Sequence, residues 1–100
     1  FHGAPAAIIV SCRSGASCPA EDALLATQNI LLGAHALGLG TCLIGFAVEA
    51  IKRKPAIQHF LEIPQEETVY SIIALGYPAV DYYRLAERKI PLIRTWTAQA

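Results

Sequence analysis

The chain predicts a layered domain of the α/β or α+β class, and three observations carry that expectation. Two runs rich in β-branched residues, at 4–12 and 68–75, read as buried strands. A long apolar stretch over 19–37 reads as a helix. Strand-like and helix-like segments then alternate along the chain, the order that stacks helices on a sheet.

The first run, "APAAIIVSC" at 4–12, is apolar without alternation, so it is expected to be covered on both faces. "RSGAS" at 13–17 is loop. The helix start follows, with Cys18 in the cap position, Pro19 at the first helical position and Glu21 and Asp22 in the first turn. Proline there loses no helical hydrogen bond, and the acids suit the positive end of the helix. The helix is expected to end at Gly38, a residue suited to a left-handed C-cap. Its leucines point in several directions, with Ala26, Gly33, Ala34 and Ala36 between them. A helix apolar nearly all round must be covered nearly all round. A partner surface is therefore expected against it, and Ala34 is expected within that surface.

"TCLIGF" at 41–46 reads as a short buried strand or extended segment, and 47–63 as a helix broken at Pro55. The charge run Lys52, Arg53, Lys54 reads as a solvated helix end. Ile63-Pro64 closes that unit, and "TVYSIIAL" at 68–75 is a strand stopped by Gly76-Tyr77-Pro78. The tail at 79–100 has no clear periodicity; it carries Arg84, Arg88, Lys89 and Arg94 against Asp81 and Glu87.

Composition narrows the function classes. One hundred residues make one domain at most, with 54% hydrophobic and 16% charged residues. A formal net charge of zero argues against a nucleic-acid module. The apolar stretches fall short of the ~20 residues that a membrane span needs, and no signal peptide is evident. The chain begins at Phe1 and has no methionine, which suggests a fragment, a cleavage product or an incomplete sequence. The three cysteines, without a C-x-x-C pair, suit a reduced, cytoplasmic setting. A metal site from Cys12, Cys18 and His35 matches no standard zinc spacing, and buried small hydrophobes are the plainer expectation. His35 is expected to be packed, and Gln28 and Asn29, if buried, to need hydrogen-bond partners.

The stretch "AEDALLATQNILLGAHALGLGTCLIGF", followed by "IPQEETVYSIIALGYPAV" and "RKIPLIRTW", resembles the C-terminal half of the FMN-dependent nitroreductase family. The likeness runs from Ala4 to Trp96. The pieces that carry it are the helix end with its Gly38 and Gly40, the Ile44-Gly45 pair and the "LGYP" strand end. The tail is also similar to members with an N-terminal ferredoxin-like iron–sulfur domain, whose cysteine clusters are not in this chain.

That resemblance implies an α+β fold of the three-layer α/β/α sandwich type, with a mixed, mostly antiparallel sheet. Residues 1–100 would be the C-terminal part of one FMN-binding domain, dimeric through the 19–37 helix. It implies FMN as cofactor, NADH or NADPH as electron donor and a small-molecule substrate, with no nucleic-acid or membrane partner. Cys42, Leu43, Ile44 and Gly45 would lie against the flavin ring, and Arg84, Arg88 and Lys89 would serve its phosphate. Gly38 and Gly40 are explained by helix termination and the turn. Gly45 is either a bend between strand and helix or the place where the ring needs the backbone to come close. No side chain is assigned a catalytic role, because the cofactor carries such chemistry. A flavin-free interaction module of the same fold is the alternative, and the residues alone do not choose between nitroreduction, flavin reduction, dehalogenation and dehydrogenation.

Overall fold

Proline and glycine set the boundaries of the elements. The computed structural model describes residues 1–98. In chain order it contains strand β1 (Ala6–Arg13), helix α1 (Pro19–Ala36), strand β2 (Gly40–Leu43), helices α2 (Gly45–Arg53) and α3 (Pro55–Phe60), and strand β3 (Glu67–Gly76). Pro19 opens α1 behind Cys18, with Glu21 and Asp22 in the first turn, as the sequence predicts. Gly38 closes the helix at φ +77°. The Leu39 N–H donates to the Ala34 carbonyl at 2.9 Å and the Gly38 N–H to that of His35 at 3.0 Å, a Schellman closure. Pro55 splits the second helical region as expected, because a residue before proline favours extended backbone: Lys54 has φ −130° and ψ 90°.

The sheet has three strands in the order β1-β3-β2, so β3 is central. Both pairings are antiparallel. The register of β1 on β3 slips between Val10 and Ser11: Val10 faces Ser71 and Ser11 faces Val69, which leaves Tyr70 as an extra residue. This bulge brings Val69 and Ile72, three apart in sequence, to the same face. There they pack with Ile51 of α2, flanked by Ile44, Val48, Ile57 and Ile63. The next residue back, Ser71, faces the other way and bonds Thr27 of α1 at 2.7 Å. Helix α1 thus covers one face and α2–α3 the other, which makes the three layers of an α/β/α sandwich.

Helix α1 turns Ala23, Thr27 and Ala34 onto the sheet, all three buried. Ala34 therefore belongs to the intramolecular face and not to a partner surface, because its spacing of seven from Thr27 places both on one stripe. The opposite face leaves Leu25 and Leu32 exposed at 67% and 58%. His35, Gln28 and Asn29 also lie on exposed parts of the helix, so the expected packed histidine is not found and the two amides can be served by water. Residues 79–98 lie outside helix and strand, and 99–100 fall outside the described residues. No helix among the described residues is long and apolar enough to cross a membrane.

Thr27 and Ser71 are the polar pair at the α1–sheet contact; the Thr27 hydroxyl also reaches the Ala23 carbonyl at 2.8 Å. Thr27→Val keeps the volume and strands the Ser71 hydroxyl in a buried site, so a loss of about 1–3 kcal/mol is expected. The Thr27→Val, Ser71→Ala pair should recover part of that loss. Chemical denaturation of the two single variants and the double variant checks this; simple additivity would contradict it.

Candidate functional site

The site region is the passage from β2 into α2. Strand β2 pairs with the end of β3, Gly40 facing Gly76 and Leu43 facing Ile73. Ile44 then leaves the sheet, its N–H still held by the Ile72 carbonyl at 2.8 Å. It caps α2 with φ −106° and ψ 82°, and α2 begins at Gly45, two residues earlier than the sequence predicts. The sequence places Gly45 in an extended segment or a bend, but its backbone is helical and Phe46 follows in the same turn.

Nothing caps that helix start. No side chain bonds it, and no acidic residue stands in the first turn. The Ala47 N–H bends back to the Ile44 carbonyl at 3.2 Å, while those of Gly45 and Phe46 meet no acceptor among the described residues. A helix start of this kind presents donors and a partial positive charge outward.

Gly45 itself has no internal explanation. Its φ is not left-handed, and a Cβ built on it would meet nothing within 4 Å. A bend does not require glycine here, and no neighbouring group of the chain crowds it. Gly40 differs. It is the first residue of β2 and lies outside the turn, and a Cβ there would stand 3.4 Å from the backbone of Pro78. The expectation that turn geometry explains Gly40 is corrected accordingly: Gly40 lies in β2, within van der Waals reach of Pro78, and turn geometry explains Gly38.

The segment Cys42–Gly45 forms a ledge with Cys42, Leu43 and Gly45 exposed and Ile44 half-buried. An open apolar hollow borders its far end, lined by Leu43, Ile44, Gly45, Phe46 and Tyr70. Phe46 and Tyr70 were not anticipated from the sequence; the helical position of Gly45 is the signal that would have placed Phe46 beside it. A second groove, which shares Phe1 and His2 with the first, includes Gly40, Cys42, Pro78 and Arg84. The chain thus brings Arg84 to the same groove as Cys42. Arg88 and Lys89 lie farther along the exposed tail and do not line it.

Among the described residues none of the three tail cations is ion-paired; the ion pairs there join Glu49 to Lys52 and Arg53. Those contacts are exposed and contribute little, as the solvated-end expectation for 52–54 requires. Cys12 is half-buried, whereas Cys18 and Cys42 are exposed because they sit at a helix start and on an edge strand. The expectation of buried cysteines is therefore corrected for those two. Among the described residues no three His, Cys, Asp or Glu side chains gather as a metal site.

Comparison with known proteins bears on this geometry. The family model described as "Nitroreductase family" matches residues 1–77. A protein of Methanothermobacter thermautotrophicus, described as a candidate NADH dehydrogenase/NAD(P)H nitroreductase, is 43% identical over 81 residues. That match takes in 76% of this chain and 41% of the relative. Among solved structures, an FMN-dependent nitroreductase of Clostridium difficile superposes with a TM-score of 0.75 at 27% identity, over 95% of this chain and 60% of that one. A nitroreductase of Bacteroides fragilis with bound FMN gives 0.70 at 26% identity, over 91% and 52%. The chain spans about two fifths of the length of the curated relative it matches. With the α/β/α layering, the ledge and these likenesses in agreement, the chain belongs to the nitroreductase family.

Proposed function

We propose that these residues are the C-terminal part of a longer FMN-binding domain and supply one wall of its flavin site. The observation that carries this reading is the start of α2: a glycine beside open space, with two N–H donors that meet no acceptor among the described residues. When bound, FMN supplies hydride transfer, from NADH or NADPH to its N5 and onward to a small aromatic or other electron-accepting substrate. Cys42, Leu43, Ile44 and Gly45 would hold the ring on one face and keep water from it. The N–H groups of Gly45 and Phe46 offer hydrogen bonds to the acceptor at the reactive ring edge. Of the tail cations Arg84, Arg88 and Lys89 that would serve the phosphate, Arg84 alone borders the groove, and an arginine suits the role because two parallel N–H groups fit two phosphate oxygens.

Family membership and the flavin described in the two solved relatives support this reading. The excess of apolar surface supports a longer domain and a dimer. Among the described residues seven apolar residues are buried, while nineteen large ones are exposed. A surface of that kind marks an interface. Leu25 and Leu32, two turns apart on the outer face of α1, form its centre in a homodimer built through 19–37. A cytoplasmic setting agrees with three free cysteines.

Two measurements check the proposal. The full-length protein should purify yellow with about one flavin per polypeptide, and Gly45→Val should lower flavin content several-fold. Because a Cβ at position 45 meets nothing within 4 Å, folding stability should change by no more than about 0.5 kcal/mol. Equal flavin content in parent and variant would reduce Gly45 to a bend, and a colourless parent would favour the interaction-module reading. For assembly, Leu25→Glu with Leu32→Glu should shift the full-length protein from dimer to monomer in sedimentation at micromolar concentration, since the charges would have to be buried. A parent that is already monomeric would overturn the dimer.

A further inference from the structure

We infer that Gly40 and Pro78 form a pivot that aims the basic tail, and that this contact sets the preference for phosphorylated over unphosphorylated flavin. The inference rests on the flavin reading above and adds to it a positioning residue pair remote from the ring.

Gly40 needs no left-handed backbone, and a Cβ there would only touch Pro78, so alanine fits and it is a longer side chain that would press on the proline. A Cβ there would stand 3.4 Å from both the Cα and the N of Pro78 and 3.5 Å from its Cβ. These are backbone and ring atoms, which cannot swing aside as the end of a flexible side chain does. Proline fixes its own φ and restricts the residue before it, so the exit from β3 through Tyr77 is stiff. The same exit is held from behind. A Cβ on Gly76 would meet Pro5 Cδ at 2.9 Å, and Gly76 faces Gly40 in the sheet register. Two prolines thus clasp the end of β3 against two facing glycines.

Beyond the clasp the tail has no such support. Residues 79–98 form no helix or strand, and among the described residues they make no hydrogen bond or ion pair. Arg84 nevertheless lines the groove that holds Gly40, Cys42 and Pro78. The direction in which the chain leaves Pro78 is what brings Arg84 there. A side chain at position 40 larger than alanine would push Pro78 away and turn the tail off the groove. Of the ledge, Cys42 borders this groove, whereas Leu43, Ile44 and Gly45 line the other hollow, which Gly40 and Pro78 do not border.

The test compares FMN with riboflavin, which lacks the phosphate, by fluorescence titration of the full-length protein. Gly40→Val should weaken FMN binding about tenfold, or 1.4 kcal/mol, the scale of one lost hydrogen bond to a charged group. Riboflavin affinity should change less than about twofold, because the ring wall is intact. Gly40→Ala, whose Cβ just fits, should keep the parent ratio of the two affinities. Pro78→Gly frees the tail from the other side without entering the sheet; it should lose the ratio as Gly40→Val does, and it decides the matter if the valine variant does not fold. An unchanged ratio in a folded Gly40→Val or Pro78→Gly protein overturns the pivot, as does a parent that binds both flavins equally. A parent that binds neither overturns the flavin reading itself.

Discussion

Ile72 is held from two sides, and most of the structure depends on that residue. Its side chain packs with Val69 and Ile51 to fasten α2 to the sheet. Its carbonyl accepts the Ile44 N–H and so fixes where β2 ends and α2 begins. One residue back, the hydroxyls of Ser71 and Thr27 share a hydrogen bond that fastens α1 to the opposite face. Each large aliphatic side chain buried here contributes about 1.5–3 kcal/mol. The carbonyl bond contributes less energy but more geometry, because it fixes the first residues of α2 against the central strand.

The bulge at Tyr70 makes that double role possible. In a regular strand Val69 and Ile72 would point to opposite faces and could not share a core with Ile51. The extra residue re-phases the strand, so that Val69 and Ile72 both face α2 while Ser71 still faces α1. The same displacement leaves Tyr70 beside the hollow bordered by Leu43 and Phe46. A packing device in the central strand and the shape of the site next to it therefore have one cause.

The parts that were legible in the sequence are those marked by residues with special backbone chemistry. Pro19, Gly38 and Pro55 locate two helix starts and one helix end within a residue, since each has one favoured place at a helix terminus. The runs at 4–12 and 68–75 read correctly as strands from their β-branched content. The bulge left no such mark, because "VYSII" looks like any strand core. The apolar α1 concealed its own orientation: with leucine and alanine on every side, only the Thr27–Ser71 bond reveals that Ala34 faces inward and Leu25 outward. The proposal that Cys42–Gly45 borders the flavin comes from the resemblance. The uncapped helix start that gives Gly45 its meaning appears only when the hydrogen bonds are traced. Gly40 was misassigned because the residue it approaches, Pro78, lies 38 residues away.

The central claim is that this chain furnishes one wall of a flavin site and that a longer polypeptide completes it. The exposed tail cations contribute only ~0–1 kcal/mol each when unsupported, and the ledge faces open space. Fluorescence titration of the isolated hundred-residue chain with FMN, beside the full-length protein, tests this most directly. Weak or undetectable binding by the chain, tight binding by the full-length protein and NAD(P)H oxidation by the full-length protein alone are the outcomes predicted. Nanomolar binding of FMN by the isolated chain would contradict the account, for it would mean that the phosphate and ring sites are both complete within these residues.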